Sequence, residues 1–308
     1  MSSNTEPKPL HFHIFGTKIH TSLSPTIHTA AFHHHNLPHT YTITECPSLS
    51  SVAHIITSPS FGGASVTMPH KLTAFQWCTE VSEAAGVVGA VNTLILLVSS
   101  GEGARIRIRG ENTDCMGLYS LINEYQAISQ DGNQGEGKKT GLVIGAGGAA
   151  RAAVYALIQA GFSTVVIWNR TIEKADKILK DFSWLVEGRR VEMRAITTVQ
   201  ELRAMGVNMN VDVVIGTIPG DVKTEEDFEG VFGARKGLCV EMAYRPKVTP
   251  LMKVAVRKGW VVQDGLEVLL RQAFEQYRLW TGREVPEGVM RGAIGRRAPS
   301  ENEMRATV

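Results

Sequence analysis

Short apolar runs of strand length alternate along this chain with longer amphipathic or alanine-rich stretches. His11–Phe15, ended by Gly16, predicts a first strand, and Ser24-Pro25 predicts a helix start, with Ser24 as N-cap and Pro25 at N1, running through Thr26–His35. Tyr41–Thr44 reads as a second strand, Ser48–Thr57 as a second helix, Phe61–Lys71 as a short strand running into Pro69, and Leu72–Cys78 as a helix. Ala84–Asn92 leads into a strand over Asn92–Val98, residues 99–104 form a turn, and Arg105–Arg109 returns as the hairpin partner. Gly110–Asp114 is then a polar corner opening a helix from Cys115 to about Gln126. Residues 1–9 and 296–308 carry no apolar pattern and read as a loose lead-in and tail, and Asp131–Lys139 reads as a Gly- and charge-rich surface loop.

The second half is more regular. Leu142–Ile144, Thr164–Trp168, Val191–Ile196, Val211–Gly216, Gly237–Met242 and Val261–Val262 are strand-like, separated by predicted helices at Ala149–Ala160, Glu173–Lys180 and Val199–Met205. Such alternation predicts a parallel, doubly wound sheet. Gly265–Thr281 predicts one long helix with Leu266, Leu269, Leu270, Phe274 and Tyr277 on one side.

The densest chemistry lies at the first turn of that half. Gly145, Gly147 and Ala150 follow a strand and open a helix, in the G-x-G-x-x-G/A spacing of a dinucleotide-binding turn. Gly145 allows the sharp turn, Gly147 lets backbone approach a pyrophosphate, and Gly161 sits where a C-terminal glycine belongs. At the end of the next strand an NAD site usually carries a carboxylate for the ribose 2′-hydroxyl. Asn169-Arg170-Thr171 stands there instead, followed by Lys174 and Lys177, a set suited to a 2′-phosphate, so NADP is favoured over NAD.

Bulk properties change this picture little. The chain has 308 residues, enough for two domains, and at 43% hydrophobic and 20% charged it has an ordinary globular composition. A formal net charge of +2 gives no reason to expect nucleic acid or an acidic membrane as partner, and Val87–Val98 is too short to span a bilayer. Cys46, Cys78, Cys115 and Cys239 are widely spaced, as reduced thiols of a cytoplasmic protein would be. All ten histidines fall within residues 11–70, but His33-His34-His35 point in different directions on a helix and no metal site is expected.

Three polar clusters sit where strands of the first half end: Ser22 with Ser24, Thr67 and Lys71 with Asn92, and Asn112 with Asp114. Each alone has a structural explanation as a cap, a buried turn or a solvated charge. Together they supply hydroxyls and amides for a polyhydroxylated small molecule, with a lysine and a carboxylate as acid/base candidates.

Seven motifs in order carry a resemblance: Ser22-Leu23-Ser24-Pro25, Val66-Thr67-Met68-Pro69-His70-Lys71, Gly89-Ala90-Val91-Asn92-Thr93, Asn112-Thr113-Asp114, Gly145-Ala146-Gly147-Gly148-Ala149, Asn169-Arg170-Thr171, and Gln272 with Trp280-Thr281-Gly282. Across about residues 12–283 the chain resembles the shikimate/quinate dehydrogenase family. The Thr44–Pro47 and Met68–Lys71 wording is more similar to fungal members. The resemblance implies an α/β fold: a substrate domain (1–113 and 266–308), a Rossmann-type NAD(P)-binding domain (114–265), and a C-terminal helix packing back on the first domain. It implies NAD(P)-dependent oxidation of one ring hydroxyl of shikimate or quinate to the 3-dehydro ketone, in the shikimate pathway or in quinate catabolism, by a monomer or homodimer. Lys71 and Asp114 match the family's catalytic pair, Ser22 and Ser24 its carboxylate-binding hydroxyls, and Thr67, Asn92 and Gln272 its ring-hydroxyl contacts. Gly145 to Ala149, Asn169 to Thr171, Thr217, Tyr244 and Gly265 match its cofactor positions. Ser65 stands where many relatives have Asn, Glu241 where Asp is common, and the Gly216–Gly220 loop lacks the usual small residues. A non-catalytic regulator binding the same ligands, or a dehydrogenase of a related cyclic hydroxy acid, are the alternative readings.

Overall fold

The computed structural model describes residues 8–97, 106–129, 138–187, 191–204 and 211–296. The 99–104 turn, Met205, and most of the expected lead-in, of the 131–139 loop and of the tail lie outside these. The chain divides into two compact units, Met1–Thr113 with Gln272–Ala298, and Asp114–Arg271 with Pro299–Val308. Both boundaries between described residues fall inside helices.

The first unit opens with β1 (His11–Gly16), α1 (Ser24–His34), β2 (Thr40–Glu45), α2 (Ala53–Ile56) and β3 (Phe61–Val66), then β4 (Glu80–Val81), α3 (Glu83–Val88), β5 (Thr93–Leu97) and β6 (Arg107–Glu111). Its six-stranded sheet runs β2-β1-β3-β5-β6-β4. β1 is parallel to β2 and β3, whereas β5 is antiparallel to both β3 and β6, the pairing expected of a hairpin. β3 is buried along its whole length, which its small residues permit: a Cβ on Gly63 would lie 2.6 Å from Trp280 Nε1. That indole donates to the Leu94 carbonyl at 3.0 Å, seating the end of the C-terminal helix on the sheet.

Several local expectations needed correction. Ser24 is not the N-cap of α1; Leu23 holds that position and no side chain caps the helix. The hydroxyl of Ser24 is engaged elsewhere, as described below. Residues 72–78 form no α-helix but part of two 3-10 turns, His70–Leu72 and Ala74–Trp77, although Ala74, Phe75, Trp77 and Cys78 do pack against the core. The 48–57 helix likewise splits into a 3-10 turn, Leu49–Val52, and α2.

α4 (Thr113–Ser129) leads into the second unit, followed by β7 (Thr140–Ile144), α5 (Gly148–Gln159), β8 (Thr164–Trp168), α6 (Ile172–Glu187), β9 (Glu192–Ile196), α7 (Val199–Ala204) and β10 (Val211–Gly216). α8 (Glu225–Phe228), β11 (Leu238–Glu241), α9 (Pro250–Arg257), β12 (Val261–Gln263) and the start of α10 (Gly265–Thr281) complete it; from Gln272 the chain is back in the first unit, where α11 (Glu287–Ala293) packs on α1. The sheet order β12-β11-β10-β7-β8-β9 is wholly parallel and reverses direction between β7 and β10, the doubly wound arrangement whose crevice lies at that switch point. Buried Arg151 of α5 pairs with Asp181 of α6 at 2.8 Å. Among the described residues no helix is long and apolar enough to cross a membrane.

α10 has the expected ends but is not a one-sided amphipath. Glu267, Gln272 and Gln276 are buried with its apolar residues, and two of them belong to the site.

Candidate functional site

In the first unit, a chain of buried hydrogen bonds runs past the carboxyl end of β3 and the amino end of β5, and one backbone amide decides its direction. The N–H of Thr113 donates to Asn92 Oδ1 at 2.7 Å, which fixes the Asn92 amide and points its Nδ2 at Thr113 Oγ1, 3.0 Å away. The Thr93 hydroxyl, 2.8 Å from the same Oδ1, must donate to it. With that proton committed, Thr93 accepts from Gln276 Nε2 at 3.0 Å. Gln276 Oε1 therefore faces Ser65 Oγ at 3.0 Å and His28 Nε2 at 3.3 Å, and both must donate. Ser65 in turn accepts from the Tyr41 hydroxyl at 2.6 Å, and Tyr41 from Ser24. Ser22 Oγ donates to Ser24 Oγ at 3.3 Å and accepts the Ser24 N–H at 3.3 Å. Burial pushes the Tyr41 phenol up and the His28 imidazole down to about 3, so both are neutral links.

Ser22, Ser24, Asn92 and Gln272 thus share one polar floor; Thr113 Oγ1 reaches Gln272 Oε1 at 3.3 Å. Asn92 spends its oxygen on the Thr113 N–H and the Thr93 hydroxyl and one amide hydrogen on Thr113 Oγ1, leaving one N–H to offer a ligand. Sequence reasoning missed Tyr41, Thr93, Thr113, Gln276 and His28 as members. Gln272 and Gln276, four apart on one buried helix face, were the available signal.

Lys71 lies in the 3-10 turn after β3. Its carbonyl accepts from Val91 N–H at 2.8 Å, Thr67 N–H donates to Phe15 O at 2.9 Å, and His70 Nε2 lies 2.9 Å from the Cys46 carbonyl. Asp114 is buried in the first turn of α4, where the helix dipole favours negative charge, rather than in a corner ahead of it.

In the second unit the fingerprint turn has the geometry its residues demand. Gly145 has φ +120°, and a Cβ there would meet Thr217 Oγ1 at 2.3 Å. Thr217 closes on the turn by donating its N–H and hydroxyl to the Ile144 carbonyl, at 2.9 and 2.8 Å. Gly147 is exposed, with nothing within 4 Å of where a Cβ would sit, so the approach to the start of α5 is open. Ala146, Gly148 and Ala149 line this start. Asn169 Nδ2 donates to the Thr171 carbonyl at 2.8 Å, shaping the loop that leaves Arg170 exposed at the end of β8. Tyr244 and Gly265 are neighbours: a Cβ on Gly265 would come within 2.7 Å of Tyr244 N. Beside them Glu241 is buried and accepts from Ala243 N–H at 3.0 Å and Thr249 Oγ1 at 2.9 Å; burial outweighs these bonds and raises its pKa. An open glycine turn at a helix N-terminus, with a carboxylate-free cationic loop beside it, fits a dinucleotide carrying a 2′-phosphate. No group of three or more His, Cys, Asp or Glu among the described residues could hold a metal ion.

A polar floor on one unit and a dinucleotide-type turn on a doubly wound sheet in the other define a two-unit α/β protein with a Rossmann-type second unit. Residues 14–94 match a shikimate dehydrogenase substrate binding domain, 129–224 a shikimate/quinate 5-dehydrogenase and 265–294 a shikimate 5′-dehydrogenase C-terminal domain. The chain belongs to the shikimate/quinate dehydrogenase family. Over 288 residues it is 38% identical to the pentafunctional AROM polypeptide of Malassezia globosa and 34% identical to that of Schizosaccharomyces japonicus, covering 90% of this chain in each case. It spans only 17% of the length of these curated relatives. The solved dehydroquinate dehydratase and shikimate dehydrogenase of S. pombe AroM superposes with TM-score 0.74 at 34% identity, covering 93% of this chain and 53% of that one. Shikimate 5-dehydrogenase of Thermus thermophilus, solved with NADP(H) and shikimate, gives 0.72 at 28% identity, covering 97% and 100%.

Proposed function

We propose that this chain catalyses the reversible oxidation of one ring hydroxyl of shikimate or quinate to its 3-dehydro ketone, using NADP in preference to NAD. The observation that carries the reading is the one-way polar floor of the first unit. Its polarity leaves Asn92 to meet a ligand as a donor, suited to an alcohol or ketone oxygen, and places two adjacent hydroxyls at its far end. In this reading the acid's carboxylate takes over the Ser22 and Ser24 protons from their weak 3.3 Å and Tyr41 links at the end of the hydrogen-bond chain, while Thr67, Asn92 and Gln272 hold ring oxygens.

Oxidising an alcohol requires that its hydroxyl proton leave as the carbon–hydrogen bond breaks. Lys71 and Asp114 are the groups proposed to handle that proton and to steady the charge on the oxygen. The nicotinamide, when bound, supplies the hydride acceptor. Gly145 to Ala149 receive its pyrophosphate, Asn169, Arg170 and Thr171 its 2′-phosphate, and Thr217, Tyr244 and Gly265 border its ring. The four cysteines form no disulfide, which suits a reducing compartment, and we place the protein in the cytoplasm. Incubation of purified protein with NADP and either acid, followed by NMR, should reveal the 3-dehydro ketone. Recovery of both acids unchanged by folded protein would overturn the proposal.

A further inference from the structure

We propose that His70 is a positioning residue that fixes Lys71 for the reaction. This rests on the role given to Lys71 above. His70 is 4% exposed, and its Nε2 lies 2.9 Å from the carbonyl oxygen of Cys46 and 3.7 Å from its sulfur. A carbonyl only accepts, so Nε2 carries the proton and the tautomer is set. Cys46 is itself held at the end of β1 by donating its N–H to Gly16 O at 3.0 Å. The imidazole therefore ties the turn carrying Lys71 to the joined ends of β1 and β2.

Several bonds tie that turn to other segments. Thr67 N–H binds Phe15 on β1, Met68 O accepts from Thr17 N–H at 3.2 Å, the His70 ring binds Cys46 after β2, and Lys71 O binds Val91, one residue from Asn92. Met68 and Leu72, on either side, are 67% and 54% exposed and contribute little packing. The backbone bonds fix the path of the chain through the turn, and the bond from the His70 ring is a buried side-chain tie made by the residue next to Lys71. It sets where the Lys71 side chain departs without touching the substrate itself.

The test is a set of variants compared at one pH, each checked for folding by circular dichroism. His70→Phe keeps an aromatic ring but has no donor. His70→Gln places an amide N–H near the position of Nε2. His70→Phe should lower kcat by roughly 10- to 100-fold, the scale of an ångström-level misplacement, with KM for the acid changed less than about threefold. His70→Gln should recover most of the loss. In a Lys71→Ala background His70→Phe should cost nothing further, because the group being positioned is gone. An unchanged kcat in His70→Phe, or the same fractional loss with and without Lys71, overturns the proposal. Full activity of Lys71→Ala alone would overturn the Lys71 role instead, so the two failures are distinguishable. If His70→Phe does not fold, His70→Asn, whose amide is too short to reach Cys46, replaces it with the same expectations.

Discussion

The backbone N–H of Thr113 donates to the side-chain oxygen of Asn92 at 2.7 Å, and from this single unambiguous donor the direction of the hydrogen bonds back to Ser22 follows. Because each hydroxyl has one proton, every link commits the next. The site is thereby polarised before any ligand arrives.

Replacement of Asn92 tests that polarity. Asn92→Ala leaves the buried Thr113 N–H and Thr93 hydroxyl without their acceptor and should destabilise the fold by about 2–4 kcal/mol. Asn92→Asp keeps the acceptor and should melt well above Asn92→Ala, yet lose activity because its donors are gone. Equal melting temperatures for the two variants would contradict the assigned direction.

Cofactor choice should reside in the loop after β8. Arg170→Ala should raise KM for NADP roughly tenfold or more, the value of a charge-assisted contact, and leave KM for NAD nearly unchanged. Equal effects on both cofactors would place the 2′-phosphate elsewhere.

Gly265 is required by proximity. A Cβ there would lie 2.5 Å from both the carbon and the oxygen of the Ala243 carbonyl group, backbone atoms that cannot move aside as a flexible side chain would. Gly265→Ala should cost about 1–3 kcal/mol and, by displacing Tyr244, weaken NADP binding measured by fluorescence titration. Native stability and affinity would show that the contact is relieved at no cost.

Acid should loosen the first unit through buried histidines. Burial lowers His13 to about 4, helped by His11, and His28 to about 3 against the pull of Gln276. In the unfolded chain both titrate near 6.5. Between about pH 6.5 and these lowered values the unfolded state binds more protons, so stability falls as pH falls, by up to about 1.4 kcal/mol per pH unit for each site. In the second unit Glu241 and Asp212, raised by burial, work in the opposite sense, losing stability as pH rises through their raised values. Hydrogen exchange of β1 and α1, corrected for intrinsic rates, should accelerate from pH 6.5 to 4.5, and His28→Phe should flatten that slope. A slope unchanged by His28→Phe would remove His28 from the linkage.

How much of this was legible in the sequence depended on the range of the interaction. The β7–α5–β8 turn was readable because Gly145, Gly147 and Gly161 each answer a local backbone demand, and the parallel sheet followed from strand–helix alternation. The floor of the first unit was readable only in part. Ser22, Ser24, Asn92 and Gln272 stood out in short motifs, whereas Tyr41, Ser65 and Gln276 are polar residues whose partners lie far away in sequence. Ser65 and Gln276, 211 positions apart, meet only after the sheet and α10 have formed. Ser24 shows the converse. Local rules made it a cap, but a tertiary partner on β2 claimed its hydroxyl. The segment from His70 to Trp77 went astray because Ala74, Trp77 and Cys78 carry helix-like spacing, yet the chain there folds as two 3-10 turns.

The account is most directly tested by absorbance at the reduced-nicotinamide band, with shikimate and quinate each offered NADP and NAD. It predicts reduction with at least one acid, faster with NADP, and nearly abolished in kcat by Lys71→Ala. No reduction in any of the four combinations by folded protein that still binds NADP would contradict it.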